Sequence, residues 1–175
     1  MTTLLEGMMA RRSVRSYKST PVPREILEKI IEAGRWAASG KNRQSCKIIC
    51  VTNKELRDRI SEMNCRIGGW SDTMDPFYGA PAIIIVLAEK EWRNRVYDGT
   101  LILGNMMLEA YEQGVGSCWI HRAKEEFESP EGQEILKMAG IEGEWEGIGH
   151  LAVGYIEGPF PKAPRRKGNE VYWIE

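Results

Sequence analysis

Ala82-Ile83-Ile84-Ile85-Val86-Leu87-Ala88 is continuously apolar and rich in isoleucine and valine. A strand with one wet face alternates apolar and polar residues, so a run with no polar position predicts a strand covered on both faces, in the middle of a sheet. The covers lie on either side of it in the chain. Residues 94–113 carry Leu101, Leu103, Met106, Met107, Leu108, Ala110 and Tyr111. Little polar face is left, which predicts a long helix buried by the core or by a second subunit. Ile26, Leu27, Ile30 and Ile31 recur at helical period after Pro23 and predict a helix to about residue 38 that stops near Gly40.

Further out, residues 47–52 read as a buried strand, 54–64 as a helix and 115–120 as a strand after Gly114. A short helix over 131–138 and a last strand over 148–156 complete the pattern. Leu4, Leu5, Met8 and Met9 form a helical stripe within 2–10, while glycines, aromatics and Asp75-Pro76 make 65–80 an irregular loop, with a lid over a site as one possibility. Helices that flank a central sheet are the expectation, with no internal repeat.

The 175 residues, 42% hydrophobic and 28% charged, have the size and make-up of a single soluble domain over 1–175. A formal net charge of -1 disfavours a dedicated nucleic-acid or membrane-surface binder. No apolar run approaches the roughly 20 residues needed to cross a bilayer, and no leader pattern opens the chain, so a cytoplasmic location is expected. Cys46, Cys50, Cys65 and Cys118 show neither zinc-site pairing nor disulfide-scaffold density, and Cys46, Cys50 and Cys118 read as packing residues. With only His121 and His150 beside them, no metal site is expected.

Arg11-Arg12-Ser13-Val14-Arg15 is the strongest chemical signal. In an extended segment Arg11, Ser13 and Arg15 share a face at steps of about 7 Å, too spread for a lone phosphate but suited to a phosphate with an elongated body. A solvated basic face is the competing reading. A second basic cluster, Lys162, Arg165, Arg166 and Lys167, lies in a proline-rich tail that ends in Val171-Tyr172-Trp173-Ile174, an arm fit to dock elsewhere or a loose end. Gly147-Ile148-Gly149-His150-Leu151-Ala152 matches a dinucleotide-binding string but runs into a strand pattern instead of opening a helix, so it reads as coincidence. Walker A and nucleophile-elbow patterns are missing. Asp98 and Glu109 are single acids on the long helix, more in keeping with capping or surface roles than with catalysis. A chain without an evident acid, base, nucleophile or metal points to a cofactor that supplies the chemistry.

In order along the chain, Arg11-Arg12-Ser13-Val14-Arg15, Ala37-Ala38-Ser39-Gly40-Lys41-Asn42-Arg43-Gln44, Gly79-Ala80-Pro81-Ala82, Asp98-Gly99, Gly114-Val115-Gly116-Ser117-Cys118-Trp119-Ile120 and Gly154-Tyr155 resemble the nitroreductase family of flavin-dependent oxidoreductases. The resemblance implies an α+β fold with a mixed central sheet flanked by helices, in an intertwined homodimer whose two chains build each flavin site. It implies FMN as cofactor, NADH or NADPH as donor, and a small-molecule electron acceptor such as a nitroaromatic or quinone. By the same resemblance Arg11, Arg12 and Ser13, with Arg165 or Arg166, would hold the FMN phosphate, and Arg15 would reach the pyrimidine edge. Asn42 and Gln44 would bond the ring or ribityl chain, backbone at Trp119 and Ile120 would lie beside the ring, and residues 157–175 would form an arm on the partner. No side chain is assigned a catalytic acid or base role. Ser45 and Cys46 stand where the family often has proline and an aromatic. Flavin fragmentation and reductive dehalogenation remain as other chemistries of the same fold, and an RNA-binding module as a remoter one.

Overall fold

Local chemistry sets the helix starts among residues 3–71, 73–168 and 171–175, which the computed structural model describes; expectations that touch Thr2, Asp72, Asn169 and Glu170 lie outside them. Thr3 Oγ1 accepts from the Glu6 N–H while Glu6 accepts from the Thr3 N–H, a reciprocal cap on α1 (Leu4–Ala10). Helix α2 (Arg24–Arg35) begins directly after Pro23, and Asn53 accepts from the Leu56 N–H at the start of α3 (Lys54–Gly68). Helices α4 (Arg95–Glu112) and α5 (Ala123–Glu128) follow. Ser129 then accepts from the Gly132 N–H ahead of α6 (Pro130–Met138).

Strands β1 (Cys46–Val51), β2 (Ala82–Glu89), β3 (Gly116–Ile120) and β4 (Trp145–Gly154) form one sheet in the order β1-β2-β4-β3. All three pairings are antiparallel. A mixed sheet is expected from the sequence; the parallel element found among the described residues is the single bridge between Ser13 and Ser117. The pairing of Val51 with Ile83 gives the reason for the first ladder. Helix α3 carries the chain away from the end of β1 and residues 69–81 bring it back, so β2 enters at the end where β1 left.

The central apolar run behaves as its composition requires. Ile83, Ile85 and Leu87 face a cluster with Ile60, Met63, Phe77, Phe127, Ile135 and Leu136. Ile84, Val86 and their neighbours face Leu27, Ile30, Leu103 and Met106. Alternation thus buries one set under α3, α5 and α6 and the other under α2 and α4, each large side chain contributing about 1.5–3 kcal/mol.

The glycines of the dinucleotide-like string have packing roles. A Cβ on Gly147 would meet the Ala123 carbonyl oxygen at 2.1 Å, and one on Gly149 would meet Trp119 Nε1 at 2.2 Å. Both sit inside β4, where a bulge interrupts its register with β2 between Val86 and Leu87.

Several boundaries depart from expectation. β1 is half-exposed and sits at the sheet edge, paired among the described residues with β2 alone, and Cys50 on it is exposed. Helix α2 stops at Arg35, α3 runs on to Gly68 and ends at Gly69 in the left-handed conformation (φ 65°). Helix α5 answers to no predicted element, because its Glu126 is buried against apolar expectation.

Candidate functional site

The arginine run lies alongside the free edge of β3. The Val14 N–H donates to the Ser117 carbonyl at 3.0 Å, and Val14 itself is 2% exposed. Gly116 makes room for it: a Cβ there would come within 2.8 Å of Val14 Cγ2. With Val14 fixed inward, Arg11, Ser13 and Arg15 carry the electrostatics of the Cys118 thiol. Burial pushes that thiol above its ordinary value, while Arg15, Ser13 and Arg11 all act against the shift. Arg11 Nη1 is buried with no hydrogen-bond partner among the described residues. Arg12 turns the other way, donating through Nη1 to the Met9 carbonyl at 2.7 Å and the Arg11 carbonyl at 2.6 Å. It closes the C-terminal end of α1.

Asn42 and Gln44 lie in a strained loop after α2. Lys41, Asn42 and Gln44 have φ of 55°, 51° and 52°, the left-handed region that is costly for side-chain-bearing residues. Ser39 holds the loop, its Oγ accepting the Gln44 N–H at 3.0 Å and its carbonyl the Asn42 N–H at 2.9 Å. Buried Asp98 anchors it to α4, accepting the Gly40 N–H at 2.9 Å and Trp92 Nε1 at 2.7 Å. Asp98 is thus a structural fastener and no candidate acid. Asn42 and Gln44 are exposed and bond each other at 3.0 Å.

These pieces do not meet within one chain. The Asn42 loop leads into β1 and the arginine run borders β3, the two outer strands, about 14 Å apart across three strand spacings. Trp119, half-exposed, and Ile120, buried, continue β3 beyond Ser117. Arg165 and Arg166 are exposed and make no ion pair or hydrogen bond among the described residues. Beyond them Val171, Tyr172, Trp173 and Ile174 are all largely exposed. A contact that sequence reasoning misses joins Arg122 to Trp70, 52 residues apart; only the structure pairs them.

The architecture is an α+β arrangement of helices about an antiparallel sheet, with basic and amide groups at its two edges. The chain belongs to the nitroreductase family, whose model matches residues 8–65 and 72–155. The crystal structure of a nitroreductase with bound FMN from Bacteroides fragilis NCTC 9343 is 30% identical, with a TM-score of 0.88 and 100% of both chains covered. Iodotyrosine deiodinase of Thermotoga neapolitana is 25% identical over 95% of this chain and 96% of that protein. The FMN reductase (NAD(P)H) of Bacillus subtilis is 40% identical over 63 residues. The chain spans 25% of that reductase's length, and 59% of that of a Methanothermobacter thermautotrophicus relative.

Proposed function

We propose that this chain is an FMN-dependent oxidoreductase that passes electrons from NADH or NADPH to an acceptor such as a nitroaromatic or quinone, each substrate leaving before the next enters. The observation that carries the reading is Arg11 Nη1, buried and unpartnered in the arginine run beside β3. A buried guanidinium nitrogen left without an acceptor is a costly arrangement that an anion relieves. The residues fit a phosphate.

Bound FMN supplies the hydride and electron transfer between nicotinamide and acceptor. Arg11 and Ser13 hold the phosphate, joined by Arg165 or Arg166 from the tail of a second copy. Arg12 fixes the turn that presents them. Arg15 places a cation near the pyrimidine edge, where it stabilises negative charge that develops on reduction. Asn42 and Gln44 donate and accept across the interface, and backbone at Trp119 and Ile120 lines the ring.

The homodimer is part of the same proposal. Leu4, Leu5, Met8 and Met9 on α1 and Val96, Tyr97 and Leu101 on α4 are exposed, apolar faces that a second copy would bury. Two copies also bring the β1-edge loop of one to the β3 edge of the other, with residues 157–175 as the crossing arm of a single domain. Similarity to iodotyrosine deiodinase over 96% of that protein supports reductive dehalogenation as the second reading. Anaerobic turnover with a halotyrosine and with a nitroaromatic separates the two.

The protein purified with excess FMN should carry a flavin spectrum and bind FMN on titration; repeated failure of both overturns the proposal. Arg15→Ala should weaken FMN binding or lower its potential, and a variant unchanged in both removes the role given to Arg15.

A further inference from the structure

Arg122 is held in a conformation that its side chain disfavours. Its φ of 78° and ψ of 7° lie in the left-handed region. Its guanidinium carbon sits 4.1 Å above the centre of the Trp70 ring, a spacing at which the ring face attracts the cation. The end of α3 is shaped to allow this. A Cβ on Gly68 would come within 3.0 Å of Trp70 Cδ2 and 3.2 Å of Arg122 Nε. Gly69 turns the chain at φ 65°, and the Trp70 N–H returns to the Cys65 carbonyl at 3.2 Å.

Stacking uses the face of the guanidinium and leaves its in-plane N–H edges free. Among the described residues no carboxylate or carbonyl accepts from them, whereas Arg57, Arg59 and Arg66 on α3 all have carboxylate partners. The neighbouring His121 is exposed, and its Nδ1 accepts the Arg122 N–H at 2.8 Å. In the neutral ring that places the proton on Nε2, a second donor beside the first. Trp70 keeps more than a third of its surface open, so aromatic area adjoins the donors. Trp119 is on β3 just ahead of His121, in the strand that carries Ser117 beside Ser13.

We infer that Arg122, stacked on Trp70 and flanked by His121, forms a recognition corner for the carboxylate of an aromatic electron acceptor. The inference rests on the reading of β3 as the strand beside the cofactor. A guanidinium edge takes a carboxylate in two parallel hydrogen bonds, and the open part of the Trp70 indole takes the ring that carries it. Arg122 is then a specificity residue that selects acidic aromatic acceptors over neutral ones of the same shape.

The test uses the full chain loaded with FMN and two inert probes of matched shape, benzoate and benzamide, followed by tryptophan fluorescence. Benzoate should bind about 10-fold more tightly than benzamide, and Arg122→Gln should abolish that preference while benzamide affinity holds. In turnover, the KM for 4-nitrobenzoate should rise by a similar factor in Arg122→Gln, and that for 4-nitrobenzamide should not. Equal binding of the two probes to the unaltered protein overturns the inference, as does a preference that survives Arg122→Gln. An Arg122→Gln effect confined to the KM for NADPH, with NADH unaffected, also overturns it by assigning the corner to a phosphate. Visible absorbance reads flavin content separately, so a chain that keeps the Arg122-dependent preference yet takes up no FMN sinks the flavin reading and leaves the corner standing.

Discussion

His150 Nε2 on β4 lies 2.7 Å from Glu126 Oε2 on α5, and neither side chain has any exposed surface. The contact is close, but its direction does not meet the alignment of a hydrogen bond, and His150 Nδ1 has no partner among the described residues. Asn64 completes the group from α3, donating to Glu126 Oε1 at 2.5 Å and to the His121 carbonyl at 2.8 Å. One buried polar knot therefore ties α3, α5 and β4 to the residue that follows β3. Removing Glu126 leaves the buried Asn64 amide without its acceptor, at a cost of about 1–3 kcal/mol. Glu126→Ala should lose stability of that order, and Glu126→Gln, which keeps an acceptor for Asn64, distinctly less. Urea midpoints at constant m-value measure both. Equal losses would show that the Asn64 bond contributes nothing.

Arg11 and Arg12 are adjacent in sequence and opposite in task. Arg11 has a buried Nη1 without a partner, whereas Arg12, although its Nε is likewise buried and unpartnered, spends its Nη1 on two carbonyls at the end of α1. Arg11→Ala should weaken FMN binding about 10- to 100-fold, the worth of a charge-assisted hydrogen bond of roughly 1.5–3 kcal/mol. Arg12→Ala should act mainly by loosening α1, with a smaller change in affinity. Isothermal titration with FMN compares them, and a larger loss in Arg12→Ala would reverse the assignment.

The exposed face of α4 gives a test of assembly independent of the flavin. Leu101 is 49% exposed and Tyr97 72%, in a helix whose opposite side packs Leu103, Met106 and Ala110 into the core. Leu101→Glu should therefore leave the fold intact by circular dichroism but shift sedimentation toward a monomer. Because the β1-edge loop and the β3-edge arginines lie on opposite sides of one chain, FMN affinity should fall with it. A variant that remains dimeric would exclude this face from the interface.

What the sequence discloses follows from where local and tertiary causes divide. The run 82–88 has no polar residue, so its double burial and central place were legible from composition alone, as were α2 and α4 from their periods. β1 was legible only in part: the stretch 47–52 reads as buried, Val51 is, but Ile48 and Ile49 are half-buried and Cys50 is exposed on what the strand order makes an edge. The spacing of Arg11, Ser13 and Arg15 suggests a shared face, and all three act on the charge balance of Cys118. Arg12 belongs to the same motif in sequence, yet the turn after α1 points it away. The stack of Arg122 on Trp70 left no mark, since glycines at 68 and 69 look the same whether they end a helix or make room for an indole.

Asp75 organises the segment that follows α3, and its charge state should set the acid limit of that segment. Burial raises its carboxyl, but the Arg57 guanidinium, the Ser61 hydroxyl and the N–H groups of Phe77 and Gly79 overcome burial and hold it below the ordinary 3.8. Arg57 is 8% exposed, also donates to the Ala80 carbonyl at 3.0 Å, and contacts Asp58. A carboxyl lowered by folding contributes its full stabilisation above the unfolded value near 3.8, and loses it as pH falls below that value through the lower folded one. Asp75 should therefore add no pH dependence to stability near neutrality, and stability should decline below about pH 4 as it protonates. Asp75→Asn leaves Arg57 short of one carboxylate and should cost about 1–3 kcal/mol at pH 7. Below the folded value the protonated parent and the variant should converge, as the parent has lost the same charge. Urea denaturation of both proteins from about pH 2.5 to about pH 7 follows the gap. A gap that stays constant through the acid range would show that the carboxylate's charge does not hold the segment.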